Sequence, residues 1–101
     1  NNVEVKSTET PNGIVFKVQI ASLPNEVKIA PENFNGLTDI TEFKINGVYK
    51  YLVGNENSFE SAVKLQREIR EKAYKDAFIV AFNNGEKISI TEAFKILETN
   101  P

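Results

Sequence analysis

The stretch TEFKINGVYKYLV, residues 41–53, contains the strongest local structural signal in the chain. Apolar and polar residues alternate before and after Asn46-Gly47, and such alternation is typical of half-buried β-strands. An Asn-Gly pair between two alternating runs favours a tight turn, because both residues tolerate positive φ angles. The stretch therefore predicts a β-hairpin with strands over residues 41–45 and 48–53.

The loop length of this hairpin determines which side chains share a face of the sheet. A two-residue loop places Phe43 on the face of Lys50 and Leu52, whereas a three-residue loop places Phe43 with Tyr49 and Tyr51. We favour the three-residue loop because it gathers the aromatic residues on one face. The two-residue loop is the alternative, since a shift of one residue inverts the face.

A further strand is predicted upstream of the hairpin, over residues 14–21. Its alternation places Lys17 and Gln19 on the face opposite to Phe16, Val18 and Ile20. Between this strand and the hairpin, residues 24–40 are rich in Pro and Asn, and they predict turns with at most one short helical turn.

Helices and further strands are predicted downstream of the hairpin. Asn57 or Ser58 begins a helix that runs to about Ala73, and the apolar run 77–82 predicts a strand. Residues 86–90 are compatible with a short strand. Ser89 and Glu92 then have the spacing of a capping box at the start of a last helix.

This order of elements predicts an α+β domain of the βαββαβ type, which is ferredoxin/RNP-like. We expect a four-stranded antiparallel sheet with helices on one face, a degraded first helix and an extra short C-terminal helix. The domain should span residues 14–98, and residues 1–13 are interpreted as a linker or a frayed N-terminal segment. The chain begins with Asn1 and not with Met, which indicates a piece of a longer protein.

Composition argues against several classes of function. The 101 residues include no Cys and no His, which excludes thiolate catalysis and Cys-based zinc sites and removes the commonest general base. A net charge of −2 lacks the basic footprint of a nucleic-acid-binding protein, and no stretch approaches the ~20 apolar residues of a membrane span. We therefore expect a binding module without catalytic residues, metal or cofactor. We also expect it to be a monomer.

Several segments resemble the SPOR (sporulation-related repeat) domain. Val18-Gln19-Ile20-Ala21 is similar to the family's opening Val-Gln-hydrophobic-small motif, and residues 49–55, YKYLVGN, resemble its internal Tyr-Arg-Val-x-Val-Gly-Pro motif. Ser58-Phe59-Glu60-Ser61-Ala62 is similar to the family's helix start. Residues 73–80, AYKDAFIV, resemble its closing strand. The resemblance covers about residues 14–83.

The resemblance implies binding of peptidoglycan glycan strands that lack stem peptides, in the bacterial cell envelope (periplasm). Such modules direct cell-wall enzymes or division proteins to the septum and are not catalytic. The expected parent protein is an N-acetylmuramoyl-L-alanine amidase with this module at its C-terminus. A protein–protein interaction module of the envelope, using the same open sheet face, is the alternative function.

The predicted glycan-binding residues lie on the face of the sheet that the helices leave open. They are Gln19, Lys17, Lys50 and Leu52. A Gln amide both donates to and accepts from an N-acetyl group, and a Lys ammonium suits the lactyl carboxylates of a stripped glycan. Alternating Lys and Gln on a strand are equally typical of a solvated sheet face.

Overall fold

The chain forms one antiparallel sheet with two helices, as seen in a computed structural model that describes residues 13–99. The strands lie in the order β2-β3-β1-β4-β5. The predicted linker, apart from Gly13, lies outside the described residues. The elements are β1 (Ile14–Leu23), a short 3₁₀ helix (Pro31–Asn33), β2 (Ile40–Ile45), β3 (Val48–Glu56), α1 (Phe59–Lys72), β4 (Phe78–Asn83), β5 (Glu86–Ile88) and α2 (Ile90–Thr99).

The sheet has five strands, so the prediction of four strands is wrong. The additional strand β5 pairs with β4 through a tight turn at Asn84-Gly85, where φ is 52° and 88°. Consecutive positive φ angles give the turn a twist that matches the flanking strands. The turn thus continues the sheet by a fifth strand before α2 begins.

The favoured register of the first hairpin is also wrong. Asn46 and Gly47 have φ angles of 52° and 78°, and Ile45 pairs directly with Val48. The loop therefore has two residues. A two-residue turn with positive φ angles is favoured because its twist matches the right-handed twist of the strands. Phe43 consequently lies opposite Lys50 and faces away from Tyr51.

Both helices pack against the same face of the sheet. Ile69 of α1 contacts a buried cluster that includes Val18 and Tyr51. A second cluster joins Ala62 of α1 and Ala93 of α2 to the sheet. Burial of these apolar side chains removes them from water and is the main contribution to the stability of the fold. It also leaves the opposite face of the sheet free of helices.

The helix starts agree with the capping signals in the sequence. The Ser58 Oγ accepts a hydrogen bond from the Ser61 backbone N–H at 3.1 Å, so Ser58 and not Asn57 is the cap of α1. The Ser89 Oγ accepts one from the Glu92 N–H at 3.0 Å, which is one of the two hydrogen bonds of the predicted capping box. These bonds satisfy N–H groups that the first helical turn leaves without partners.

The segment that replaces the first helix is fixed to the sheet by Tyr51. The Val27 N–H donates to the Tyr51 hydroxyl at 2.7 Å, and that hydroxyl donates to a Glu42 carboxylate oxygen at 3.0 Å. Burial raises the pKa of Tyr51 above its ordinary value, so the hydroxyl stays protonated and can donate. Phe34 and Leu37 of the same segment are buried in the core. The predicted short helical turn is present as the 3₁₀ helix.

Candidate binding face

The helix-free face of the sheet is curled, and an apolar cluster forms its floor. Leu52, Val80 and Phe82 are buried there, and Phe43 packs against them. The rings of Phe43 and Phe82 meet edge to face, 5.3 Å between centroids. Their strands, β2 and β4, are separated by two others and would lie about 14 Å apart in a flat sheet. The ring contact therefore reflects the curl, which makes this face concave.

A β-bulge in β3 creates the polar part of this face. Phe16 pairs with Glu56 and Val18 pairs with Val53, so Lys17 lies opposite two residues, Gly54 and Asn55. Gly54 has a φ of 88°, as the first residue of such a bulge often does. A side chain at this position would also collide with Leu65 of α1. The positive φ favours glycine here, and any larger residue would also displace the end of the Leu65 side chain.

The bulge supplies two neutral acceptors to the Lys17 ammonium. Its Nζ donates to the Gly54 carbonyl oxygen at 3.1 Å and to the Asn55 Oδ1 at 3.3 Å. Burial lowers the pKa of Lys17, and the charge of Asp39 partly opposes this shift. No carboxylate within residues 13–99 forms an ion pair with Lys17. The ammonium is thus a half-buried cation with one N–H left for a ligand.

Lys17 lies in a groove of about 330 Å³ on the concave face. Val15, Phe43, Leu52 and Phe82 provide its apolar lining, and the polar residues of the lining are Lys17, Thr41, Glu42 and Asn55. The segment 24–38 and α2 contribute no lining residue. An apolar floor with a few convergent polar groups is typical of small-molecule and oligosaccharide sites.

Gln19 lines a separate cleft of about 340 Å³ at the other end of the same strand face. The register of β1 shifts between Gln19 and Ala21, which marks a second bulge. Gln19 is only 7% exposed, so nearly all of its surface is covered by its neighbours. The sequence predicted a side chain pointing to water, and the structure instead places a largely buried residue beside a cleft.

The other two predicted residues differ in accessibility. Leu52 belongs to the groove floor and is only 2% exposed. Lys50 lies in neither the groove nor the cleft, and its Nζ is 3.2 Å from the Ser22 Oγ. The structure therefore brings Lys17 and Leu52 together, places Gln19 two residues along the strand, and leaves Lys50 at the periphery.

Sequence reasoning missed two polar residues of this face, Thr41 and Asn55, which line the groove. For Phe78 the apolar run 77–82 favoured a core position, with a stacking surface formed by Phe78 and Phe82 as the alternative. The structure places Phe78 in the lining of the cleft with 46% of its surface exposed. Its place at the first residue of β4, directly after the loop, was the signal that could have indicated exposure.

Neither helix of the described chain is long and apolar enough to span a bilayer. Within residues 13–99, no group of three acidic side chains is placed to hold a metal ion. No family model matches the chain, and no curated protein or solved structure matches it. The resemblance to SPOR domains therefore depends on the quoted sequence segments and stays a prediction.

Proposed function

We propose that this domain is a non-catalytic module that binds peptidoglycan glycan strands lacking stem peptides. It would direct a cell-wall enzyme such as an amidase, or a division protein, to the septum within the bacterial envelope. The observation that carries the proposal is the Lys17 ammonium, which is half-buried in a groove with an apolar floor and donates to two neutral acceptors, Gly54 and Asn55.

The arrangement of strands supports the same proposal. The first four strands lie in the order β2-β3-β1-β4, with every neighbouring pair antiparallel. That order is expected of a split βαβ sheet, the architecture that the family resemblance implies. In this arrangement the helices cover one face and leave the other available to a ligand.

The chemistry of a stripped glycan suits the groove. Its sugar rings have apolar faces that can pack on Phe43 and Phe82, and its hydroxyls can bond to Thr41 and Asn55. A lactyl carboxylate beside Lys17 would form a charge-assisted hydrogen bond, which is stronger than a neutral one. Removal of the stem peptides exposes these carboxylates, so the groove is expected to favour glycan treated with an amidase.

Sedimentation with purified sacculi tests this proposal. We expect the domain to sediment with sacculi, and to do so better after an amidase has removed the stem peptides. Lys17→Met should weaken this binding about tenfold or more, because it removes a charge-assisted bond. Lys64→Met, a change to an exposed lysine of α1, is the matched control and should bind normally.

Equal sedimentation with treated and untreated sacculi, or normal binding by Lys17→Met, would contradict the proposal. If the domain does not bind sacculi at all, the better hypothesis is that the same face binds a protein partner in the envelope.

A further inference from the structure

β2 is an outer strand of the sheet, and its free edge is long and regular. It lies first in the order β2-β3-β1-β4-β5, so β3 is its single neighbour within residues 13–99. β2 has six residues, contains no proline and pairs with β3 in a continuous register. Proteins usually shorten, bulge or interrupt such an edge, because its N–H and C=O groups can pair with another strand. The opposite edge strand, β5, has only three residues.

The two-residue hairpin determines which backbone groups of β2 point outward. Ile45 and Val48 flank the loop as a hydrogen-bonding pair, so the N–H and C=O groups of Ile45 point toward β3. These directions alternate along an antiparallel strand. The N–H and C=O groups of Glu42 and Lys44 therefore point away from β3. A strand that pairs with the free edge must form hydrogen bonds with these two residues.

The side chains of the same two residues are exposed and carry opposite charges. Both lie on the face that the helices cover, since the Glu42 carboxylate bonds to the Tyr51 hydroxyl and the Lys44 Nζ lies 5.0 Å from the centroid of the Tyr49 ring. Unlike charges directly opposite each other stabilise an antiparallel pair of strands, whereas like charges destabilise it. The two charges can therefore select the register of a strand that joins the edge.

A second copy of β2 matches this edge in one register. When two antiparallel β2 strands bond through their outward groups, Glu42 can lie opposite Glu42, Lys44 opposite Lys44, or Glu42 opposite Lys44. The first two registers place like charges together. The third forms two pairs of unlike charge, because the twofold symmetry repeats the contact. It also places Phe43 opposite Phe43, and Ile45, which is 39% exposed, opposite Thr41.

We propose that β2 is a dimerisation edge to which a second copy of this chain adds its own β2 in antiparallel orientation. Glu42 of each copy lies opposite Lys44 of the other. The two sheets then form one continuous sheet whose concave faces lie on the same side. This inference goes beyond the proposed function, because the contact needs no glycan, and it replaces the expectation of a monomer.

Sedimentation velocity over a range of protein concentrations tests the dimer. The wild type should dimerise reversibly. Glu42→Lys and Lys44→Glu should each weaken self-association about tenfold or more, because each change puts like charges at both pairs. An equimolar mixture of the two variants should associate as well as the wild type, since unlike charges then lie opposite each other. Lys64→Glu, the same charge change at an exposed site of α1, is the matched control and should dimerise normally.

Circular dichroism verifies that both variants fold. Glu42→Lys removes one acceptor of the Tyr51 hydroxyl, which retains the Val27 carbonyl oxygen at 3.2 Å. Lys44→Glu leaves both of these contacts in place, so it tests the register by itself if Glu42→Lys does not fold. A wild type that stays monomeric at every concentration, or a dimer that Lys44→Glu does not weaken, would overturn the proposal.

Amide hydrogen exchange identifies what covers the edge. The outward N–H groups of Glu42 and Lys44 should exchange quickly in dilute wild type and slowly at concentrations at which it dimerises. The N–H group of Phe43 points toward β3, so it should exchange slowly at both concentrations and serves as the internal reference. Slow exchange of Glu42 and Lys44 at every dilution would overturn the dimer, because residues 1–12 of the same chain would then explain the protection.

Discussion

Lys17 carries a positive charge at a position where its side chain is half-buried, and burial disfavours charge. Its ammonium loses part of its hydration on the concave face, and the two acceptors of the bulge are neutral and replace that hydration only in part. A residue selected for stability alone would be apolar at this position. The cost is expected of a binding residue, whose charge is needed only when a ligand is present.

The first prediction concerns the titration of this residue. NMR spectroscopy of the lysine side chains should give Lys17 a pKa below the ordinary 10.5, because burial disfavours the charged form. In the window between this lowered pKa and 10.5, the unfolded chain binds more protons than the folded one. The contribution of Lys17 to the free energy of unfolding should therefore rise with pH across that window.

Urea unfolding of the wild type and of Lys17→Met in alkaline buffers measures this contribution. The difference between the two proteins should change with pH in the stated direction. A lysine pKa at or above 10.5 for Lys17 would mean that its ammonium is better solvated than the groove geometry indicates.

At the scale of elements, short polar contacts set where each helix and turn begins. Ser58 and Ser89 each accept a hydrogen bond from the third backbone N–H of the following helix. The Asn-Gly turns at residues 46–47 and 84–85 take the positive φ angles that tight hairpins need. These capping and turn signals involve only a few neighbouring residues, so they can be recognised in the sequence.

A substitution at the start of α1 tests the assignment of its cap. Ser58→Ala should lower the free energy of unfolding by about 1 kcal/mol, because it removes the acceptor for the Ser61 N–H. Asn57→Ala is the control, and it should change stability by less than about 0.5 kcal/mol. Urea denaturation measures both. A larger loss in Asn57→Ala would identify Asn57 as the cap.

For the whole molecule, the curl of the sheet turns a flat face into a groove. The contact between Phe43 and Phe82 joins strands from distant positions in the sheet and lies on the face without helices. The apolar floor is thus a second, smaller core, separate from the one beneath α1 and α2. Stability and the shape of the site are coupled through this floor.

Replacement of Phe43 by alanine tests whether the stability of the fold and the shape of the groove are coupled. Phe43→Ala is expected to cost about 2 kcal/mol of unfolding free energy, less than a fully buried Phe because Phe43 is only half-buried. It should also weaken glycan binding, since the groove loses part of its floor. Phe94→Ala, a change to an exposed ring on α2, is a control for binding. Unchanged affinity in Phe43→Ala would show that the curl does not shape the site.

Much of the architecture followed from residues close together in the chain. Alternation indicated β1 to β3, a continuous apolar run indicated β4, and the Ser residues indicated both helix starts. The sequence also selected Lys17 and Gln19 as the polar residues of the helix-free face. Five strands and the two-residue hairpin loop were missed, because a short strand and a one-residue register shift alter the local pattern very little.

Tertiary structure alone decided what surrounds those residues. Lys17 bonds to Gly54 and Asn55, which follow it in the chain by 37 and 38 positions. The bulge that contains these two residues arises only when β1 and β3 pair. Gln19 lies at the last pair of β1 with β4, opposite Phe78, and Phe43 reaches Phe82 only in a curled sheet. Side-chain alternation is a property of one strand, whereas bulges, clefts and curl are properties of strands in contact, so no local pattern encodes them.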